Sequence, residues 1–94
     1  MHYMIVNIVD YGQRDGKNFI VYEVLGLAAN QLNYLDTNLD EETCIDNDVL
    51  RIVMYFTSEL YPFQSDVAKI RLDDFIAREE IEMNVFLSSF LEDM

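Results

Sequence analysis

The chain has 94 residues and carries 18 acidic against 6 basic side chains, a formal net charge of -12, yet 51% of its residues are hydrophobic. Disordered chains combine strong like charge with little apolar content, so this composition instead favours one folded acidic domain over residues 1–94. The negative charge argues against direct binding to nucleic acid or to an anionic membrane, since both carry charge of the same sign.

The remaining composition favours a cytoplasmic protein. Cys44 is the only cysteine, which excludes an internal disulfide framework and fits a reducing compartment. The first residues lack the basic segment of a secretory signal. No apolar run approaches the ~18 residues that a membrane-spanning helix needs.

The N-terminal third of the chain predicts a β-hairpin. Residues 3–9 are β-branched and aromatic and have the length of a strand, and Asp15-Gly16 is a hairpin-turn signal. Residues 18–25 fit the returning strand, although a helix capped by Asn18 is the alternative. We favour the hairpin, followed by a helix over 26–35.

The middle of the chain predicts an acidic connection followed by a helix. Residues 36–48 contain many carboxylates and no Lys or Arg. Apolar residues from Val49 to Leu60 follow the i, i+3, i+4, i+7 spacing, which predicts a helix over 48–61 that begins at Asp46 or Asp48. Tyr61-Pro62 would end this helix.

The C-terminal segment predicts the longest helix, over Asp73–Leu91, with a candidate break near Ala77-Arg78. Ser65 is a candidate N-terminal cap for a helix that precedes it. Its apolar residues form one stripe that is large enough to serve as a homodimer interface, although self-association brings like charges together. The stripe consists of Met83, Phe86, Leu87, Phe90 and Leu91.

The predicted fold is α+β, with an N-terminal β-hairpin packed against two or three helices, and all-α is the alternative.

The acidic connection partly matches a calcium-binding loop. Asp36, Asn38 and Asp40 stand at the first, third and fifth positions of an EF-hand-like pattern. The sixth position holds Glu41 in place of glycine, and the twelfth holds Asn47 in place of glutamate. We therefore expect a solvated loop with weak divalent-ion binding rather than a dedicated metal site.

The sequence carries no catalytic or cofactor-binding motif. His2 is the only histidine and Cys44 has no second thiol beside it, so zinc ligation cannot be completed. The segment from Gly12 to Gly16 lacks the spacing and the Lys-Ser/Thr ending of a phosphate-binding loop. Adjacent acids such as Asp73-Asp74 are more typical of a solvated face than of a glycosidase pair. We expect a protein that is not an enzyme and that needs neither cofactor nor metal.

Negative charge distributed over a fold can imitate duplex DNA, which presents a charge about every 1.7 Å of its axis. On a helix, Glu79 and Glu82 would lie on neighbouring turns of one face, and Asp73 and Glu80 would continue a row. In size, charge and lack of catalytic motifs the chain resembles small acidic inhibitors of phages and mobile elements. These include DNA-mimic antirestriction proteins, anti-CRISPR proteins and nuclease immunity proteins.

This resemblance implies an anti-defence function, in which a stoichiometric inhibitor blocks the nucleic-acid-binding groove of a basic protein or nuclease. Tyr34, Tyr55 and Tyr61 are candidate aromatic anchors for such a partner. One alternative is an adaptor or regulatory subunit that binds through the apolar face of its C-terminal helix. Another is a plain acidic domain with a weak divalent-ion response. The predicted partner-binding residues are Asp36, Asp40, Glu41, Glu42, Asp46, Asp48, Asp73, Asp74, Glu79, Glu80 and Glu82.

Overall fold

The structure, a computed structural model, describes residues 4–56 and 68–94. It combines a four-stranded antiparallel sheet of order β1-β2-β4-β3 with two helices, which confirms the predicted α+β class. In chain order the elements are β1 (Ile5–Arg14), β2 (Lys17–Leu25), α1 (Ala29–Asn38), β3 (Glu42–Asp46), β4 (Val49–Phe56) and α2 (Ala68–Glu92).

The N-terminal hairpin forms where the sequence predicts it. Asp15 and Gly16 have φ angles of 54° and 78°, and two successive positive φ values are the signature of a type I′ turn, whose twist matches that of paired strands. β1 and β2 pair from Arg14↔Lys17 back to Ile5↔Leu25, with one β-bulge between Ile8 and Asp10. Residues 18–25 are therefore strand, and the helical alternative is wrong.

The helix predicted over 48–61 is wrong, because its described part is strand β4. Asn47 and Asp48 have φ angles of 51° and 63°, so they form a tight turn between β3 and β4 instead of capping a helix. Nearly every position from 49 to 56 is apolar, and such a run fits a buried strand and a helix equally well by periodicity. The predicted end at Tyr61-Pro62 and the cap at Ser65 lie outside the described residues.

Neither helix has the boundaries that the sequence predicts. The helix predicted over 26–35 is found at Ala29–Asn38, where the Gln31 side chain accepts a hydrogen bond from the Ala28 backbone N–H at 2.9 Å. α2 runs without interruption through Ala77-Arg78, so the candidate break is absent. None of the helices within the described ranges combines the length and the apolar character needed to cross a lipid bilayer.

The core lies between one face of the sheet and the two helices. Alternate residues of the central strands point into it, as the period of two in a strand requires. Its innermost side chains come from β2, β4, α1 and α2. They are Ile20, Tyr22, Val24, Leu32, Leu35, Leu50, Ile52, Met83 and Leu87.

Most side chains of the apolar stripe of α2 pack in or against this core. Met83 and Leu87 are 6% and 0% exposed, and the Phe90 ring packs against Tyr34 with 5.6 Å between ring centroids. Of the predicted stripe, Phe86 is the member that stays about half exposed. Most of the stripe therefore packs inside the fold of one chain, and Phe86 is the member left open to solvent.

Candidate functional site

A groove of about 260 Å³ opens between the sheet, α2 and the segment that links α1 to β3. Pockets that hold drug-sized ligands occupy roughly 300–1,000 Å³, so this groove suits a single side chain. Its lining is apolar except for three carboxylates and one phenol. The lining residues are Tyr22, Leu39, Glu41, Ile52, Met54, Glu79, Glu82, Met83 and Phe86.

Helical spacing explains how two carboxylates reach the groove. Glu79, Glu82, Met83 and Phe86 follow the i, i+3, i+4, i+7 pattern, so they share one face of α2. In an ordinary surface helix this face would be apolar throughout. Here the first half of the face carries acids, and these acids line the groove together with Met83 and Phe86.

The third carboxylate comes from a different part of the chain. Glu41 lies between the end of α1 and the start of β3, in the same link as Leu39. The fold brings it to α2 because α1, which ends just before this link, packs against both α2 and β3. Three of the predicted partner-binding acids therefore converge on one groove.

The charges in the groove raise each other's proton affinity. Burial, together with the neighbouring Glu82 carboxylate, raises the pKa of Glu79 above its usual range, and Arg78 opposes this effect. Burial also raises the pKa of the Tyr22 phenol above its ordinary value, with further contributions from Glu79, Glu82 and Glu80. Among the described residues the close ion pair is Arg51–Glu23 at 3.1 Å, so Arg78 acts on Glu79 from a distance and not through a salt bridge.

The Tyr22 hydroxyl opens onto the groove. Tyr22 is only 2% exposed, and its hydroxyl makes no hydrogen bond within residues 4–56 and 68–94. Among those residues no fully buried side-chain oxygen or nitrogen lacks a hydrogen-bond partner. The small exposed area of Tyr22 therefore includes its oxygen, and the lining of the groove places that oxygen there.

The other predicted acids of the first half are dispersed. Asp36 lies in α1 and accepts a hydrogen bond from the Thr43 hydroxyl at 2.6 Å, which ties the helix to β3. Asp40 is exposed in the α1–β3 link, and Asp48 is exposed in the β3–β4 turn. Glu42 and Asp46 lie on β3 opposite Val53 and Val49, and therefore on the sheet face away from the helices.

The acids that were predicted to form a row along α2 do not all lie on the same side of the helix. The Glu80 carboxylate accepts a hydrogen bond from the Ile8 backbone N–H at 2.8 Å, beside the bulge of β1. Glu80 therefore fastens α2 to the edge strand, while Glu79 and Glu82 line the groove. Asp74 is exposed two turns earlier, and Asp73 precedes it in α2. Glu80 thus does not extend the groove acids into a phosphate-like row, and the side chain of Asp73 lies outside the described part of the structure.

The calcium-loop pattern does not fold into a loop. Asp36 and Asn38 both belong to α1, and the Asn38 side-chain amide donates a hydrogen bond to the Tyr34 carbonyl at 2.8 Å. Among the described residues, no three His, Cys, Asp or Glu side chains are placed to hold a metal ion. The helix removes the curvature with which an EF-hand loop surrounds its ion.

The candidate aromatic anchors have different environments. Tyr34 packs against Phe90 in the core layer between the helices. Tyr55 is 40% exposed on the outer sheet face, where its hydroxyl donates to the Glu42 carboxylate at 3.3 Å. Tyr61 lies outside the described residues. Two other aromatic residues line the groove, Tyr22 and Phe86, and the sequence analysis assigned Phe86 to the apolar stripe.

A protein-family model that is described as a family of unknown function (DUF5750) matches residues 5–93. The chain belongs to this family. The matched range contains every residue that lines the groove. A comparison with curated proteins gave no match.

Proposed function

We propose that this protein binds a basic partner protein stoichiometrically and holds it through the acidic groove. One observation supports this function above the others. Glu41, Glu79 and Glu82 line an apolar groove, and no basic residue of the described part of the chain lines it, so the groove carries more negative charge than the nearby Arg78 can balance. A cationic group from another molecule would supply the missing partner.

The environment of Glu79 favours a binding function over a role in solubility alone. A carboxylate that only keeps a protein dispersed is most stable where water solvates it fully. Glu79 is instead half-buried beside Glu82, and both burial and like charge disfavour its ionised form. A function that needs negative charge inside the groove accounts for this cost.

The charge of the whole chain determines how such a partner would arrive. A net charge of -12 on 94 residues attracts basic surfaces over long range, so association would be fast and would weaken as salt is added. Proteins with extended basic surfaces are mostly those that bind nucleic acid. An acidic protein seated on such a surface excludes DNA or RNA from it, which is how the small acidic inhibitors that this chain resembles act.

The experiment uses the purified protein as bait in a cell lysate, with washes at low and at high salt. A basic DNA- or RNA-binding protein that elutes with salt is the expected capture. That protein is then purified and titrated with the bait while its nucleic-acid binding is followed. We expect loss of nucleic-acid binding at a 1:1 ratio. A captured protein that keeps its nucleic acid at saturating bait would contradict inhibition.

A second candidate function is supported by the outer face of α2. Ile81 and Val85 are 66% and 60% exposed and lie one turn apart, so they form an apolar pair directed away from the core. An adaptor could bind through this pair. Its complex would survive high salt and would be lost in an Ile81→Lys variant, whereas the complex of the acidic groove would show the reverse behaviour.

A further inference from the structure

We propose that the groove is a receptor for one arginine side chain of the basic partner, whose guanidinium is held by Glu79, Glu82 and the Tyr22 hydroxyl. This inference rests on the proposed function and names the chemical group that the groove takes from the partner. It makes a small site, rather than the total charge, responsible for selecting the bound residue.

The Tyr22 hydroxyl is the observation that points to a ligand. Tyr22 stands at the centre of the sheet, between Ile8 on β1 and Ile52 on β4. A core position of this kind is filled equally well by phenylalanine, and a buried hydroxyl without a hydrogen bond is destabilising. The hydroxyl has no partner within the described residues, and it opens onto the groove that the carboxylates surround. Its acceptor oxygen is therefore available to a donor that enters the groove.

The groove offers acceptors at several positions, which favours arginine over lysine. A guanidinium carries five N–H donors in a fixed plane, so it can serve two carboxylates and a phenol oxygen at once. The lysine ammonium has three donors on a compact, strongly hydrated centre, and its removal from water costs more. Glu79 and Glu82 are one helical turn apart on the same face, which gives the two carboxylates that a guanidinium fork can span.

The apolar part of the lining suits the rest of the arginine side chain. Leu39, Ile52 and Met54 form a surface against which a methylene stem can pack while its charged end reaches the acids. Phe86 lies on the same lining and is 49% exposed, so its ring face is open to a cation–π contact with the guanidinium. The volume of about 260 Å³ fits one such side chain.

Short peptides test the site independently of any partner. The ¹⁵N-labelled protein is titrated by NMR with three capped tripeptides, Gly-Arg-Gly, Gly-Lys-Gly and Gly-citrulline-Gly, at low ionic strength. Citrulline keeps the shape of arginine without its charge. We expect saturable shifts at the amides of Tyr22, Glu79, Glu82 and Phe86 with the arginine peptide. Weaker shifts are expected with the lysine peptide and none with the citrulline peptide.

Variants distinguish the contribution of the groove carboxylates to binding from that of the total negative charge. Glu79→Gln/Glu82→Gln should weaken arginine-peptide binding about tenfold or more, the loss expected for one charge-assisted hydrogen bond. Glu92→Gln/Asp93→Asn removes the same number of charges from exposed positions at the C-terminal end of α2 and should change the affinity less than about twofold. Tyr22→Phe should weaken the arginine peptide severalfold and leave the lysine peptide nearly unaffected.

Equal binding of the arginine and lysine peptides, or equal losses in the two double variants, would overturn the arginine site. Those outcomes leave the proposed function standing if the intact protein still captures a basic partner in a salt-dependent way. Absence of a captured partner, with the arginine peptide still bound in the groove, would instead contradict the proposed function alone.

Discussion

The docking of α2 on the sheet is the structural feature on which the groove depends, and Leu87→Ala tests it. Leu87 is 0% exposed and belongs to the core cluster with Met83 and the central strands. Removing a buried leucine side chain beyond its Cβ costs about 2–5 kcal/mol, from lost burial and from the cavity that remains. A domain of this size has roughly 5–14 kcal/mol of stability in total, so the variant should lose a large fraction of it.

Chemical denaturation followed by far-ultraviolet circular dichroism measures this loss. We expect the free energy of unfolding to fall by about 3 kcal/mol, which corresponds to a decrease in Tm of about 12–24 °C. Val85→Ala is the matched control, since Val85 is apolar and two residues away on α2 but 60% exposed. It should change stability by less than about 0.5 kcal/mol. Equal effects of the two substitutions would refute the packing of α2 described above.

Three further predictions concern the groove and the hairpin. Tyr22→Phe should leave stability unchanged or raise it by up to about 1 kcal/mol in urea denaturation, since the hydroxyl lacks a partner in the described residues; a clear loss would contradict this. Glu79 has a raised pKa, caused by burial and by Glu82, so the native state takes up its proton before the unfolded state does. The stability of the wild type should therefore rise as pH falls from neutral towards the ordinary pKa of a glutamate, and Glu79→Gln should flatten this rise; parallel pH profiles would contradict it. Gly16→Ala should lower the free energy of unfolding by about 1 kcal/mol in thermal unfolding, because a φ of 78° is strained for alanine. An added Cβ meets no atom within 4 Å, so the loss would come from the backbone alone, and an unchanged Tm would contradict the turn geometry.

The hairpin and the long C-terminal helix were predictable because their signals are local. Asp15-Gly16 favours a two-residue turn whatever lies elsewhere in the chain, and the turn fixes the register of β1 and β2. Likewise, the spacing of Met83, Leu87 and their apolar neighbours identifies a helix without knowledge of its contacts.

Strand β4 was not predictable from periodicity. Its residues are apolar on both faces, so the i, i+3, i+4 positions of a helix are filled as well as the alternate positions of a strand. β4 lies inside the sheet, between β2 and β3, and this central position explains its apolar character. The β-branched residues Val49, Ile52 and Val53 and the pair Asn47-Asp48, read as a turn, were the available signals for a hairpin.

Part of the groove could have been found from the sequence. Glu79 and Glu82 continue the core-facing stripe of Met83 and Phe86 towards the N-terminus of α2, and acids on such a stripe indicate a polar site beside the core. The contribution of Glu41 could not be found in this way. It depends on how the α1–β3 link passes α2, which is a tertiary contact between residues far apart in the chain.

The binding of a basic partner in the acidic groove is tested most directly by one set of affinities. The captured partner is titrated by calorimetry with the wild type, with Glu79→Gln/Glu82→Gln and with Glu92→Gln/Asp93→Asn, at two salt concentrations. We predict that the groove variant loses at least about tenfold in affinity while the charge-matched control stays within about twofold of the wild type. Equal affinities for all three proteins, or a partner that high salt does not release, would contradict the account.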